Sequence, residues 1–380
     1  MFDYESFKDI APYDQKGSEE AIKRIQQHPE YINMFAKALV KGDGFIVQAK
    51  RKAFTAYVLG RLNKIHSYTD FQEIVTCGMF IPTVLKGTST EFTVSGTENL
   101  SKDGSYLFIS NHRDIILDCA LMDYALYINK MPMCEMCIGD NLLTNQFIED
   151  LFKLDGAIIV KRSLPMKEKY LETIRLSEYM VERISSGRSI WVAQKSGRSK
   201  DGIDVTHPAI VKMLHLSKKK EGLSYAETIK RCHIVPVAIS YEFDPNDINK
   251  AREEIHTIRE GSYTKKKLED LASMLRGIRK PKGRIHLSFG TELVQDFNDA
   301  NEVAHEIDRQ IYQNYRLWPV NYFCFDYAEK RNDHASEYSD FDSEAFLAKY
   351  AHLDEEKRMF VINEYANPVR THLGLIKSGE

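Results

Sequence analysis

Tyr106-Leu107-Phe108-Ile109-Ser110-Asn111-His112-Arg113-Asp114-Ile115-Ile116-Leu117-Asp118 is the stretch from which the rest of the chain can be read. Tyr106 to Ile109 is a short apolar run of the kind a buried strand shows, and Asn111-His112 reads as the turn at its carboxyl end. Beyond the turn, Ile115, Ile116 and Leu117, then Ala120, Leu121 and Met122, then Ala125 and Leu126 recur at helical spacing. Asp114 and Asp118 therefore belong to the opening of a helix. The carboxyl edge of an open α/β sheet is where ligands and catalytic side chains collect. A histidine held there can act as a base if a carboxylate fixes its tautomer and stabilises the imidazolium that forms. The plainer alternative is a helix cap, since Asn and Asp serve well in that role.

Working outward, the same alternation continues. Glu91 to Gly96 alternates as a strand. After the helix 115–129 come a buried strand over Met131 to Ile138, a helix over Leu142 to Lys153, and a short strand, Gly156-Ala157-Ile158-Ile159-Val160, that ends on Lys161-Arg162. A helix over 166–186 leads to the strand Ser189-Ile190-Trp191-Val192-Ala193 and the loop Gln194-Lys195-Ser196-Gly197-Arg198-Ser199-Lys200-Asp201-Gly202. Strands over 233–242 and 284–290 complete the set. This predicts an α/β domain over 88–300, with a mixed, mostly parallel sheet flanked by helices.

The ends of the chain read as helical additions. In the region 1–87, Ser18-Glu19-Glu20-Ala21-Ile22 looks like a helix start, and Ile22, Ile25, Ile32, Phe35 and Leu39 form a broken stripe. Phe45 to Lys64 interleaves apolar residues with Lys50, Arg51, Lys52, Arg61 and Lys64. That mixture suits an anionic membrane surface, and equally a solvated helix packed on a partner. The apolar run Ile74 to Leu85, broken by Gly78 and Pro82, is too short to span a bilayer; it could lie on a membrane or line an acyl-chain pocket. In the region 301–380, Val303, Ile307, Ile311 and Tyr315 share one helical face.

Bulk properties narrow the function. The formal charge of −3 lacks the basic excess of a nucleic-acid binder. Six scattered cysteines, with no apolar leader at the start, fit free thiols in a reducing cytoplasm. Cys134 and Cys137 form a C-x-x-C pair without a second pair to complete a zinc site, so core packing is expected and no metal. The 194–202 loop lacks Walker spacing. No G-x-S-x-G elbow is present, so a base with no evident nucleophile beside it points to direct attack by a substrate hydroxyl. If the strands are neighbours, His112, Lys161-Arg162, and Lys195 with Arg198 share one edge, and the guanidinium groups could hold a phosphate beside the base.

In the order strand-Asn-His followed by an Asp, then Gly-x-Ile-x-Val-Lys-Arg, then Gly-Arg-Ser-Lys-Asp-Gly, then Ile-Val-Pro-Val-x-Ile-x-Tyr-Glu, the chain resembles the four blocks of the glycerolphosphate and lysophosphatidate acyltransferases, over roughly residues 90–245. The resemblance implies their fold and the transfer of a fatty acyl group from acyl-CoA or acyl carrier protein, as co-substrate, to a lysophospholipid hydroxyl at a membrane surface. It implies His112 as general base, oriented by Asp118 or Asp114. It places Asn111, Arg113, Lys161, Arg162, Lys195, Ser196, Gly197, Arg198 and Pro236 around the substrates. It further implies a cytoplasmic protein, peripheral on the inner face of the cell membrane. Two departures stand out. His112 and Asp118 are separated by five residues where the family has four, and Lys195-Ser196-Gly197 stands where the family commonly has Glu-Gly. The second leaves open a different acceptor, such as an amino-acid-containing lyso-lipid, or a non-catalytic lipid-binding protein.

Overall fold

Among the residues described in this computed structural model, 3–40, 42–266 and 268–374, seven strands form one sheet. They are β1 (Ser89–Ser95), β2 (Leu107–Ser110), β3 (Glu135–Gly139), β4 (Ala157–Val160), β5 (Ile190–Ala193), β6 (Ile234–Tyr241) and β7 (Gly283–Phe289), in the spatial order β1-β7-β6-β2-β5-β3-β4. All neighbours pair in parallel except β6 with β7. The sheet is mixed and mostly parallel, as the sequence predicts. Every residue of β2 and β6 is buried. That is why they read as continuous apolar runs rather than as alternation, since a strand covered on both faces has no polar side.

The topology fixes where a site can form. The chain leaves β2 for β3 and then β4 in one direction along the sheet, and returns from β4 through β5 to β6 in the other. Right-handed crossovers then put the helices of the two halves on opposite faces. Helix Leu117–Ile128 packs on helix Ile81–Thr88, while Met166–Ser185 packs on Pro208–Lys218. β2 and β5 are adjacent, in register from Leu107 with Ile190 to Ser110 with Ala193, and their outgoing loops diverge. The crevice between their carboxyl ends is the switch point of the sheet, where ligands bind in this architecture.

Among the described residues apolar side chains gather in three clusters: one around the sheet, one built by the N-terminal helices, and one by the C-terminal helices around Trp318, Phe346 and Tyr365. The acidic C-terminal stretch is folded, as Pro319–Glu329, Ser343–Tyr350 and Glu355–His372. Two local expectations shift. The first helix starts at Gln15 rather than Ser18, because Asp14 accepts from the Gly17 N–H and caps it; Ser18 is buried one turn further on. The Ile74–Leu85 run folds as the π-helix Gln72–Phe80 leading into Ile81–Thr88. The side chain of Phe35 lies outside the described residues. No helix among those described is long and apolar enough to cross a membrane.

Candidate active site

Where β2 ends, the Asn111 side chain continues the ladder that the backbone abandons. Its Oδ1 accepts from Ile239 N at 2.8 Å and its Nδ2 donates to Ile239 O at 3.0 Å. The amide thus stands in for one rung of strand pairing and frees the main chain to turn. His112 follows, its carbonyl fixed by Ser199 N at 2.8 Å and its ring edge-on to Trp191. The turn that carries His112 and the loop after β5 are thereby locked together.

His112 Nδ1 lies 2.7 Å from Asp118 Oδ2. The same oxygen accepts from Arg113 N at 2.6 Å and Asp114 N at 2.9 Å, and Tyr241 donates to the other oxygen at 2.8 Å. A fully buried carboxylate with four donors is held in one orientation. Burial and the Asp118 charge push the Tyr241 phenol well above its ordinary pKa, so it remains a donor. With Nδ1–H directed at the carboxylate, the lone pair falls on Nε2, which has no protein partner among the described residues, and the side chain is 15% exposed. Asp118 is thus the partner of His112. Asp114 instead accepts from Ile116 N and Leu117 N, at the approach to helix Leu117–Ile128. Burial and the neighbouring Asp118 charge raise its pKa.

The other residues named from sequence divide into two groups. Asn111, Arg113 and Pro236 face inward, which corrects the expectation that they touch substrate. Arg113 donates to Asp204 at 2.5 Å and stacks over Tyr315. Burial opposes its charge, but the Asp204 carboxylate outweighs that and raises its pKa. Pro236 is buried mid-strand opposite Ile109, and its carbonyl accepts from Gly290 N. Lys161 is paired with Asp9 at 2.5 Å and with Glu172 at 3.4 Å. The N-terminal segment thus neutralises it.

Arg162, Lys195, Ser196, Gly197 and Arg198 reach the surface or lie part-buried. Arg162 is exposed against the Gly139 backbone and Asn141. Lys195 donates to Ile203 O, and Arg198 to the Ser273 hydroxyl at 2.8 Å. The expected convergence of cations is therefore incomplete. Arg162 sits over the end of β3, whereas Arg198 leans across β2 towards the segment after β6.

Beside the turn lies an apolar cleft of about 200 Å³, lined among others by Ile116, Val75, Met79, Phe80, Leu142 and Met274. The Ile74–Leu85 run thus supplies part of its wall. All six cysteines are buried and unpaired, and Cys134 donates to Asp123. Among the described residues no group of three or more His, Cys, Asp or Glu is placed to hold a metal. Tyr241 escaped the sequence reading, although a hydroxyl ending the apolar run of β6 was a signal available there.

An imidazole backed by a buried carboxylate thus stands at the switch point of an α/β sheet, beside an apolar cleft. Residues 91–240 match the family model of the acyltransferases. The solved 1-acyl-sn-glycerophosphate (LPA) acyltransferase PlsC from Thermotoga maritima is similar at 14% identity, over 77% of this chain and 91% of that one, with a TM-score of 0.35. No curated protein matches the chain.

Proposed function

We propose that the protein transfers a fatty acyl group from acyl-CoA or acyl carrier protein to the free hydroxyl of a lysophospholipid, converting lysophosphatidate to phosphatidate. His112 Nε2 takes the hydroxyl proton, and the oxygen attacks the thioester carbonyl directly. The tetrahedral intermediate collapses, the C–S bond breaks, and the imidazolium returns its proton to the departing thiolate. Asp118 stabilises the charged ring during the cycle. The apolar cleft by Ile116 takes acyl chain, and the exposed Arg162 and the part-buried Arg198 are cations available to the acceptor's phosphate. The observation that carries this reading is the 2.7 Å contact of His112 with Asp118, with Nε2 left unpartnered among the described residues at the switch point.

The same reading places the protein on the inner face of the cell membrane. In helix Phe45–Leu62, Phe45, Ile46, Ala49, Ala53, Ala56, Tyr57 and Gly60 are exposed. At helical spacing they occupy a face roughly 120° wide. Lys50 and Arg61 flank it on one side and Lys52 on the other, while Thr55, Val58 and Leu62 face inward. An outward apolar face rimmed by lysine and arginine suits a helix lying in an anionic interface. A second reading keeps the chemistry and changes the acceptor to an amino-acid-containing lyso-lipid, favoured by Lys195-Ser196-Gly197 standing where the family commonly has Glu-Gly.

The test is a radiolabelled acyl-transfer assay over several acceptors with the wild type and with His112→Ala. Transfer that is greatest to lysophosphatidate, and lost in a variant with unchanged circular dichroism, supports the proposal. Transfer only to an amino-acid lyso-lipid selects the second reading. Lipid binding without turnover on any acceptor, or wild-type turnover in the variant, overturns it.

A further inference from the structure

Helix Glu269–Arg279 lies outside the family-matched segment, yet its Gly277 abuts the catalytic turn. A Cβ on Gly277 would stand 2.2 Å from Asp114 Oδ2. This approach brings the preceding residues of the helix to the loop after β5. Arg198 donates to Ser273 Oγ at 2.8 Å. The Ser273 hydroxyl donates to Asn246 Oδ1 at 3.0 Å, and that oxygen also accepts from Arg276 Nε at 2.9 Å. Ser273 and Asn246 are buried, 4% and 1% exposed. Two guanidinium groups from distant parts of the chain are thus tied to one pair of buried polar side chains, and both remain partly open to solvent.

The nearby acids are engaged by other cations: Asp244 and Glu364 by Lys250, Glu253 and Glu254 by Lys200, Glu269 by Arg252 and Asp270 by Lys265. Asp114, in contact with the same helix, is fully buried and biased towards its neutral form. Among the described residues neither Arg198 nor Arg276 has a carboxylate within ion-pair reach. Burial and the positive charges of Arg252 and Arg198 depress the Arg276 pKa, and the Glu269 carboxylate offsets part of this. Holding such a pair together is unfavourable, and an anion placed between them offsets the repulsion. The planar, multiply donating guanidinium suits a phosphate better than a point charge does.

We propose that Arg276, together with Arg198, binds the phosphate monoester of the acyl acceptor, so that acceptor recognition extends beyond the family-matched segment to helix Glu269–Arg279. The proposal rests on the acyl-transfer reading and names the substrate group that this part of the site receives. Phosphate also occurs in coenzyme A, and the arms of the test separate the two sources.

The experiment compares wild type, Arg276→Gln and Arg276→Lys in acyl transfer to lysophosphatidate and to monoacylglycerol, and in equilibrium binding of labelled lysophosphatidate without donor. The expected result for Arg276→Gln is a KM for lysophosphatidate raised roughly tenfold to a hundredfold, the loss of one charge-assisted contact. Its kcat, donor KM and activity on monoacylglycerol stay near wild type, binding of lysophosphatidate weakens by the same factor, and Arg276→Lys recovers part of it. Unchanged KM and binding overturn the proposal, and so does a rise confined to the donor KM, which would assign the pair to coenzyme A. If the wild type transfers no acyl group yet binds lysophosphatidate through Arg276, this inference stands and the acyl-transfer reading falls.

Discussion

Tyr241 donates its hydroxyl to Asp118 Oδ1 at 2.8 Å, on the oxygen opposite the one that meets His112. Oδ2 serves three donors, whereas Tyr241 is the donor found on Oδ1. Removing it leaves one oxygen of a buried carboxylate unsatisfied, which costs roughly 1.5–3 kcal/mol. For Tyr241→Phe we expect a loss of stability of that order and a fall in kcat of about tenfold. The acceptor KM should hold, because the phenol touches the acid and not the substrate. Combined with His112→Ala, the substitution should cost no further activity. A Tyr241→Phe enzyme with normal kcat would show that Asp118 keeps its orientation unaided.

Asp308 ties the return of the loop after β5 by accepting from Thr206 N at 2.8 Å. Burial lifts its carboxyl from the ordinary 3.8 to about 7. Between those values the unfolded chain releases a proton that the native protein keeps, so raising the pH across this window favours unfolding; below it the penalty is absent. Asp308→Asn keeps the acceptor oxygen and does not titrate. The melting temperature of the variant minus that of wild type should therefore grow from pH 5 to pH 8 and level off beyond. A difference independent of pH would rule out a neutral Asp308 in the folded protein.

The parts of the site that were legible in the sequence are those made by neighbours along the chain. The strand, the turn and the His112–Asp118 spacing lie within one short segment, and the sheet is legible because β2 and β6 are unbroken apolar runs. What escaped was made by residues far apart in sequence. Asn111 meets Ile239, Arg113 meets Asp204, and Lys161 meets Asp9. Each looked like a free polar group until the fold supplied its partner. Arg276 sits in a helix whose pattern is that of any amphipathic surface helix, and nothing local marks its meeting with Arg198. The choice between Asp114 and Asp118 turned on the turn geometry, which five intervening residues leave open.

Phe45 and Ile46 are 87% and 70% exposed at the start of the helix proposed to lie in the membrane. Burying each such side chain contributes roughly 1.5–3 kcal/mol. The double variant Phe45→Ser, Ile46→Ser should therefore partition onto vesicles containing anionic lipid at least tenfold more weakly. Turnover on a short-chain, water-soluble acceptor should be unaffected. Added salt should weaken the binding that remains, since lysine and arginine rim the face. Equal partitioning of variant and wild type in vesicle sedimentation would move the membrane contact elsewhere.

Gly277 and Gly60 both lie inside helices, and their surroundings separate two opposing effects of alanine. At Gly60 nothing lies within 4 Å of the added methyl group, so helix propensity alone acts and Gly60→Ala should stabilise by about 0.5–1 kcal/mol. At Gly277 the methyl carbon would lie 2.2 Å from Asp114 Oδ2 and 2.9 Å from its Cγ. The same gain in propensity is then set against overpacking of roughly 1–3 kcal/mol. The displaced carboxylate accepts from Ile116 N and Leu117 N, and the Asp114 N–H also holds Asp118. Gly277→Ala should therefore melt below wild type and lose acyl transfer, although the methyl group is small and apolar and touches no substrate. Thermal melts of the two variants side by side check this; Gly277→Ala melting at or above wild type with full activity would mean that the helix is free to move away from the catalytic turn.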